Sequence, residues 1–198
     1  MIAGIILAAG ASRRMGRPKA LLPYRGETFL NRLIRIAGQA AEQIVVVVGP
    51  PYAEQIREQA IAGASFVTNP APGRGQLSSL QVALAALPPD ADGFFFIPVD
   101  CPAVSEETIG RLAAAFARRD PGTLFVIPRY GGRRGHPVFA ARSIASEILA
   151  LPAEAQARDV VHGHVRQTLY VDVDEPGILA DIDDPSAYRQ LVEPRINP

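Results

Sequence analysis

Short apolar runs alternate with segments of helical periodicity along the first two thirds of the chain. Four such runs occupy residues 2–10, 43–50, 93–100 and 123–130, and a still shorter strand-like segment occupies residues 65–70. The four runs are continuous and not alternating, as expected for strands covered on both faces. Apolar residues at helical spacing occupy residues 28–40, 76–87 and 105–119. Buried strands that alternate with helices predict an α/β fold with a mainly parallel central sheet.

From about residue 131 the pattern is less regular. Residues 130–139 are rich in turn-forming residues, 142–151 and 155–165 predict short helices, and 167–174 predict a strand. Residues 179–192 predict a short strand followed by a closing helix, with Asp183 or Asp184 as its N-cap. The sequence contains no low-complexity linker and no internal repeat. We therefore expect one domain over residues 1–198.

Unusual residues cluster where three of the predicted strands end. The clusters are Gly10 to Lys19, Asn69 to Ser79, and Asp100. In open parallel sheets, ligands bind outside the carboxyl ends of the strands. The functional site is therefore expected at this edge.

Composition limits the kind of partner that the protein binds. Lys and Arg together number 20, as do Asp and Glu, so no overall positive field favours nucleic acid or an anionic membrane. The single cysteine, Cys101, excludes an intrachain disulfide and suits a reducing compartment. No apolar run approaches the roughly 20 residues of a membrane helix. We expect a cytoplasmic protein whose basic site is local.

One local basic site is evident in LAAGASRRMGRPK, residues 7–19. A P-loop needs four residues between its glycines and then lysine at once, whereas Gly10 and Gly16 are separated by five residues and Arg17-Pro18 precede Lys19. A dinucleotide fingerprint needs a second glycine where Ser12 stands. The remaining interpretation is a long basic loop around a triphosphate, in which small residues at 8–10 allow close approach of the nucleotide.

This loop resembles the signature of the molybdenum cofactor cytidylyltransferase-like nucleotidyltransferases, relatives of the molybdopterin guanylyltransferases. The pattern is L-A-A-G-x-S-x-R-M-G-x-x-K. Further matching blocks follow in family order: NPAPGRGQLSSL (69–80), IPVDCPAV (97–104), GRRGHPVF (132–139) and DIDDPSAY (181–188). The guanylyltransferase relatives typically have glycine at the position of Ala9 and an acidic residue at that of Pro18. The resemblance therefore favours the cytidylyl branch.

The resemblance implies a three-layer Rossmann-like nucleotidyltransferase fold and Mg²⁺-dependent transfer of CMP from CTP to the terminal phosphate of molybdopterin or molybdenum cofactor, releasing pyrophosphate. The implied nucleotide-binding residues are Leu7, Ala8, Ala9, Gly10, Ser12, Arg14, Lys19, Asn69, Gly75 and Ser79. Arg14, Lys19 and Asp100 are the implied catalytic residues. Asp100 and Asp181 are the implied metal ligands, with Asp183 as the alternative to Asp181.

The resemblance also divides the chain into a nucleotide-binding part, about 1–100, and an acceptor-binding part, about 101–198. His136 of the GHP block, Arg134 and Arg158 are the expected acceptor-binding residues, and a molybdoenzyme is a further possible partner. Cytidylyltransferases of the family often carry a G-D-x-G-A-R block. Here PAEAQARDVV keeps Ala157 and Arg158 but lacks the glycines and that aspartate, which leaves the acceptor open.

Two alternatives remain at the level of sequence. The first is the same chemistry on a sugar phosphate or another phosphorylated acceptor. The second is a nucleotide-binding regulator or cofactor-insertion chaperone without turnover, against which the intact Arg14, Lys19 and Asp100 count. His162 and His164 lack a third ligand at metal-site spacing and are expected on the surface. Base preference and oligomeric state stay open.

Overall fold

The computed structural model describes residues 1–152 and 154–193. The strands are β1 (Ile2–Leu7), β2 (Pro23–Tyr24), β3 (Glu27–Thr28), β4 (Gln43–Val48), β5 (Ser65–Thr68), β6 (Gly93–Pro98), β7 (Phe125–Tyr130), β8 (Arg133–Arg134), β9 (Val138–Ala141) and β10 (Thr168–Asp172). The helices are α1 (Phe29–Ala37), α2 (Ala53–Gln59), α3 (Gln76–Ala85), α4 (Glu106–Ala117), α5 (Ile144–Leu149), α6 (Ala157–Gly163) and α7 (Pro185–Val192). Short 3-10 turns cover Lys19–Leu21, Pro72–Arg74, Val165–Gln167 and Pro176–Leu179.

Eight of the strands form one sheet, with the order β10-β7-β9-β6-β1-β4-β5 and β8 paired to β7. The pairs β6–β1, β1–β4, β4–β5 and β10–β7 are parallel, whereas β9 lies antiparallel between β6 and β7. The predicted α/β fold with a mainly parallel sheet is confirmed. In the register of β1 with β6, Leu7 lies opposite Pro98, so both strands end at the same edge. The loop after Leu7 and the residue Asp100 are thereby brought together.

The sheet separates two apolar cores, because alternate strand residues point to opposite faces. Ile6 faces a core with residues of α1, α2 and α4, and α7 packs against that core. Ile5 and Leu7 face the other core, which is built with α3, α5 and α6. Helices on both faces give the three layers that the sequence predicts. Among the described residues, no helix is both long and apolar enough to cross a membrane.

The later third of the chain departs from the sequence-based expectation in two places. Residues 130–139, expected as turns, contain β8 and the start of β9, whose Val138 is buried between two long strands. The short strand expected before the closing helix is wrong: Pro176–Leu179 is a 3-10 turn, and residues 180–183, all within the described range, have no regular structure. Asp184 is the N-cap of α7, since its side chain accepts the N–H groups of Ser186 and Ala187.

Candidate active site

The basic loop folds back on itself after β1. Ser12 has a φ of 49°, and its carbonyl oxygen accepts the N–H groups of Met15 and Gly16 at 3.0 Å each. The hydroxyl of Ser12 then accepts the backbone N–H of Lys19 at 3.0 Å. Ser12 therefore closes the loop and brings the lysine back to the edge of the sheet. This internal bond gives Ser12 a structural role that its place in the motif alone does not reveal.

Lys19 lies between two aspartates at the centre of the site. Its Nζ is 3.0 Å from Oδ2 of Asp100 and 2.6 Å from Oδ1 of Asp183, and its side chain is only 11% exposed. Burial opposes the charge of the ammonium group, but Asp100 and Asp183 outweigh that penalty and raise the pKa of Lys19. The lysine is therefore a fixed positive charge. Arg14 is more exposed, at 69%, and donates to Oδ2 of Asp183 at 2.6 Å.

Asp100, Asp181 and Asp183 form a carboxylate cluster, which offers one oxygen from each residue within 4.8 Å of the others. The N–H of Ile182 donates to the carbonyl oxygen of Asp100 at 3.0 Å and so holds the 181–183 segment against the end of β6. Burial, followed by the charges of Asp100 and Asp183, raises the pKa of Asp181. The hydrogen bond from Lys19 lowers the pKa of Asp183. Three carboxylates at this spacing match the oxygen donors that hard divalent cations prefer.

The basic loop lines a cleft of about 340 Å³ at the carboxyl edge of the sheet. We call it the smaller cleft. The predicted nucleotide-binding residues that line it are Leu7, Ala8, Ala9, Gly10, Ser12, Arg14, Lys19, Gly75 and Ser79. Ile56, Pro72 and Gln76 also line it, together with Asp100 and Asp183. The sequence motifs did not indicate Ile56, since α2 carries no motif of its own and only the fold brings it to the cleft.

Asn69 lies behind the wall of the smaller cleft and supports it through hydrogen bonds. It is buried, and its Nδ2 donates to the hydroxyls of Ser78 and Ser79 at 2.9 and 3.0 Å. Its Oδ1 accepts the N–H of Ala71 at 2.9 Å. Asn69 therefore ties the end of β5 to the first turn of α3. Its predicted contact with nucleotide stays a prediction, since it is not among the residues that line the cleft.

A larger cleft, of about 1110 Å³, adjoins the first. Its apolar lining comes from Leu77, Leu80, Phe96, Ile127, Val138, Val161, Ile178 and Leu179. Its basic lining comes from Arg74, Arg133, Arg134 and Arg158. Asp181 lines this cleft, Asp183 lines the smaller one, and Asp100 lines both. The expected acceptor-binding residues Arg134, His136 and Arg158 are thus brought together here.

His136 is neutral in this environment. Burial lowers the pKa of its imidazole to about 4, against which the charge of Asp100 acts only in part. Its ring packs edge-on against Phe96, with 5.9 Å between the ring centroids. Its backbone N–H donates to the carbonyl oxygen of Ile178 at 3.0 Å, which ties the GHP block to the turn preceding the carboxylate cluster. The side chain of His136 therefore contributes shape and not charge.

Fold and site together define a Rossmann-like nucleotidyltransferase. Two clefts meet at one aspartate, and a basic loop and a carboxylate cluster lie at that junction. Residues 4–168 match the MobA-like NTP transferase domain, and the chain belongs to this family of enzymes. The resemblance seen in the motifs is thereby confirmed.

Individual relatives agree with this assignment. The chain is similar to the molybdenum cofactor cytidylyltransferase of Escherichia coli, with 27% identity over 187 residues, covering 93% of this chain and 92% of the relative. A probable molybdenum cofactor guanylyltransferase of Bacillus mycoides is 29% identical over 154 residues, covering 77% of this chain and 74% of the relative. The crystal structure of Rv0371c from Mycobacterium tuberculosis superposes with a TM-score of 0.82 at 34% identity, covering 98% of this chain and 97% of that one. Its manganese complex superposes with a TM-score of 0.75 at 32% identity, over 98% of each chain.

Proposed function

We propose that the protein transfers CMP from CTP to the terminal phosphate of molybdopterin or molybdenum cofactor and releases pyrophosphate, with Mg²⁺ as the metal. The observation that carries this proposal is the junction of the two clefts at Asp100. The smaller cleft, with its basic loop, suits the triphosphate. The larger cleft, with its apolar floor and its arginines, suits an acceptor with an organic body and a phosphate.

In the proposed reaction, a phosphate oxygen of the acceptor attacks the α-phosphorus of the nucleotide. A new P–O bond forms there, and the bond from the α-phosphorus to the bridging oxygen of pyrophosphate breaks. The attacking phosphate is already an anion, so no general base is required. The contribution of the protein is alignment and neutralisation of charge. Lys19 and Arg14 are the groups that stabilise negative charge moving onto pyrophosphate.

The carboxylate cluster is the proposed metal site, with Asp100 and Asp181 as ligands and Asp183 as the alternative second ligand. A bound divalent cation would neutralise phosphate charge and polarise the P–O bonds. The oxygen donors of the cluster support a hard cation. The manganese complex of the mycobacterial relative supports a divalent one.

CTP is the proposed donor because Ala9 and Pro18 stand where the guanylyltransferase relatives have glycine and an acidic residue. Both residues line the smaller cleft. The Escherichia coli cytidylyltransferase, which is similar to 93% of this chain, supports the same choice. The proposed compartment is the cytoplasm, where the one cysteine, Cys101, stays reduced.

Pyrophosphate release tests the proposal directly. CTP, GTP, ATP and UTP should each be combined with molybdopterin, with molybdenum cofactor and with a panel of sugar phosphates, in Mg²⁺ and in EDTA. We expect release with CTP and a molybdopterin acceptor in Mg²⁺ only. Release with GTP alone would reassign the donor, and release with a sugar phosphate alone would reassign the acceptor. Nucleotide binding without release under any condition would favour a non-catalytic binding protein.

Substitution of the carboxylates tests the metal site. Asp100→Asn should abolish Mg²⁺-dependent turnover, and Asp181→Asn should reduce it by about 10² or more, because an amide keeps the shape but loses the charge that holds a hard cation. Turnover and Mg²⁺ affinity should be measured together. Wild-type behaviour of Asp181→Asn beside an inactive Asp183→Asn would make Asp183 the second ligand.

A further inference from the structure

Two of the four cations of the basic loop, Arg14 and Lys19, are already paired with one carboxylate. Oδ2 of Asp183 accepts a hydrogen bond from Arg14 at 2.6 Å, and Oδ1 of Asp183 accepts one from Lys19 at 2.6 Å. Each oxygen of Asp183 therefore holds a different cation. This arrangement presents to the loop what two phosphate oxygens would present: two negative oxygens at hydrogen-bonding distance.

Position distinguishes Asp183 from the other aspartates of the cluster. Asp183 lines the smaller cleft with the basic loop, whereas Asp181 lines the larger cleft and forms no ion pair within the described part of the chain. The Lys19 pair is the stronger of the two, because the lysine side chain is 11% exposed and therefore poorly screened. The Arg14 pair is weaker, since that side chain is 69% exposed.

We propose that Asp183 is a competitor for phosphate built into the site. In the free protein it occupies the two cations that the nucleotide requires, and nucleotide binding exchanges this carboxylate for phosphate oxygens. The proposal rests on the proposed function in one respect, which is that the basic loop is the polyphosphate site. It adds that part of the intrinsic affinity of the loop for polyphosphate is offset by the cost of releasing Asp183.

The exchange couples the nucleotide to the divalent cation. Once polyphosphate has taken Arg14 and Lys19, Asp183 lies beside Asp100 and Asp181 without its counter-charges, and the site gains affinity for a cation. Conversely, a cation that attracts these carboxylates releases the two basic side chains for phosphate. Coupling between two ligands is reciprocal, so each should raise the affinity for the other. The carboxylate cluster would thus favour the metal-bound nucleotide over free polyphosphate.

Binding of inorganic pyrophosphate in EDTA isolates the competition from catalysis and from the metal. Calorimetry should compare wild type, Asp183→Asn and Asp181→Asn. Asp183→Asn should bind pyrophosphate at least about tenfold more tightly, the factor that corresponds to losing one partly buried ion pair of about 1.4 kcal/mol. Asp181→Asn removes the same charge from the same cluster without breaking a pair, so its gain should stay below about threefold.

A double-mutant cycle between Asp183 and Arg14 distinguishes the ion pair from the general electrostatic effect of removing a negative charge. In an Arg14→Gln background, the gain from Asp183→Asn should shrink, because one of the two cations that Asp183 occupies is absent. Asp183→Ser serves as a second neutral variant and should reproduce the gain, since the effect requires only loss of the charge. In Mg²⁺, the increase of pyrophosphate affinity caused by the metal should be smaller for Asp183→Asn than for wild type.

Lys19 is the only lysine in the sequence, which allows direct observation of the exchange. In protein labelled with ¹³C at the lysine Cε, one lysine signal reports this side chain. Saturation of wild type with pyrophosphate in EDTA should move that signal. Asp183→Asn should move it in the free protein as well. An unmoved signal at saturating pyrophosphate would show that Lys19 keeps its carboxylate partners, and would overturn the exchange.

The outcomes separate this proposal from the one on which it rests. Equal pyrophosphate affinity in wild type, Asp183→Asn and Asp183→Ser overturns the competition and leaves the polyphosphate site standing. Weaker binding by both neutral variants also overturns it, because Asp183 would then assist the phosphate. Absence of binding in every variant overturns the polyphosphate site itself, and the competition with it.

Discussion

Lys19 is the residue on which the charge balance of the site depends. It lies within 3.0 Å of an oxygen of Asp100 and 2.6 Å of one of Asp183, so it opposes the mutual repulsion of the carboxylates. The same ammonium group is the proposed stabiliser of charge on the leaving pyrophosphate. Its position is set by Ser12, whose hydroxyl accepts the backbone N–H of Lys19. Ser12, a residue expected to bind nucleotide, thus also determines where the proposed catalytic charge lies.

Removal of this charge should affect turnover more than binding. Lys19→Ala should lower kcat by about 10² or more, as expected for loss of one preorganised charge that acts in the transition state. Single-turnover pyrophosphate release measures the effect. Arg118→Ala, at the exposed C-cap of α4 and outside both clefts, is the matched control and should behave as wild type. Near-normal kcat in Lys19→Ala would remove the basic loop from the reaction.

His136 makes folding stability depend on pH. Its folded-state pKa is about 4, below the ordinary value of 6.5, so between these values the unfolded chain binds a proton that the folded protein does not. The contribution of His136 to stability should therefore fall as pH decreases from 7 to 4. His136→Gln should remove up to about 3 kcal/mol of that decrease. Denaturant unfolding at a series of pH values measures it, with the exposed His162→Gln as control. Equal slopes for wild type and His136→Gln would contradict a buried neutral imidazole.

The 176–183 segment is the element that completes the site, and two close backbone approaches position it. A Cβ on Gly135 would lie 2.3 Å from the carbonyl oxygen of Ile178, and one on Gly177 would lie 2.6 Å from that of Ala103. Only glycine allows these contacts. The GHP block between β8 and β9 and the loop after Asp100 therefore contact the segment from two sides, which holds Asp181 and Asp183 beside β6.

A side chain at position 135 should displace the 176–183 segment. Gly135→Ala should destabilise the protein by about 1–3 kcal/mol, as overpacking does, and should lower both turnover and Mg²⁺ affinity. Gly110→Ala is the matched control: this glycine lies inside α4, where an added Cβ would meet no described atom of another element within 4 Å, so the substitution should stabilise the protein by about 0.5–1 kcal/mol. Thermal unfolding and Mg²⁺ titration give both readouts. Unchanged Mg²⁺ affinity in a folded Gly135→Ala would show that this contact does not position the carboxylates.

At the scale of the whole molecule, two clefts share one wall. Gly75, Gln76, Pro98 and Asp100 line both of them. The predicted division into a nucleotide part, 1–100, and an acceptor part, 101–198, stays a prediction. The residues that line the clefts already cross that boundary, because Asp183 lines the smaller cleft, and Arg74, Leu77 and Leu80 line the larger one. The site therefore forms only when the basic loop and the distant residues 181–183 are folded together.

Measurements of nucleotide binding and of acceptor turnover should distinguish the roles of the two clefts. Arg134→Ala and Arg158→Ala should each raise the KM for the acceptor about tenfold, the loss expected for one charge-assisted contact with phosphate, while leaving Mg-nucleotide affinity unchanged. Calorimetry with nucleotide and steady-state kinetics with acceptor provide the two readouts. Arg166→Ala, which is exposed and lines neither cleft, serves as control. Loss of nucleotide affinity in both variants would assign this region to the nucleotide site instead.

Local patterns in the sequence determined the main strands, the family and part of the site. Continuous apolar runs predicted β1, β4, β6 and β7, and the motif residues indicated the family, the basic loop and Asp100. These features depend on residues close together in the chain, where periodicity and spacing are informative. Asp184 as the N-cap of α7 follows from the same kind of local chemistry, as one of the two residues predicted for it.

Tertiary structure alone decided the rest. β9 forms a strand because it pairs with β6 on one side and with β7 on the other, although the turn-rich sequence around it did not predict a strand. Asp183 meets Lys19 across 164 positions of sequence and Arg14 across 169, distances over which no local pattern carries information. Asn69 braces α3 because the sheet brings β5 beside that helix. Local periodicity specifies which face of an element is buried, but the partner on that face is set by the packing of the whole sheet.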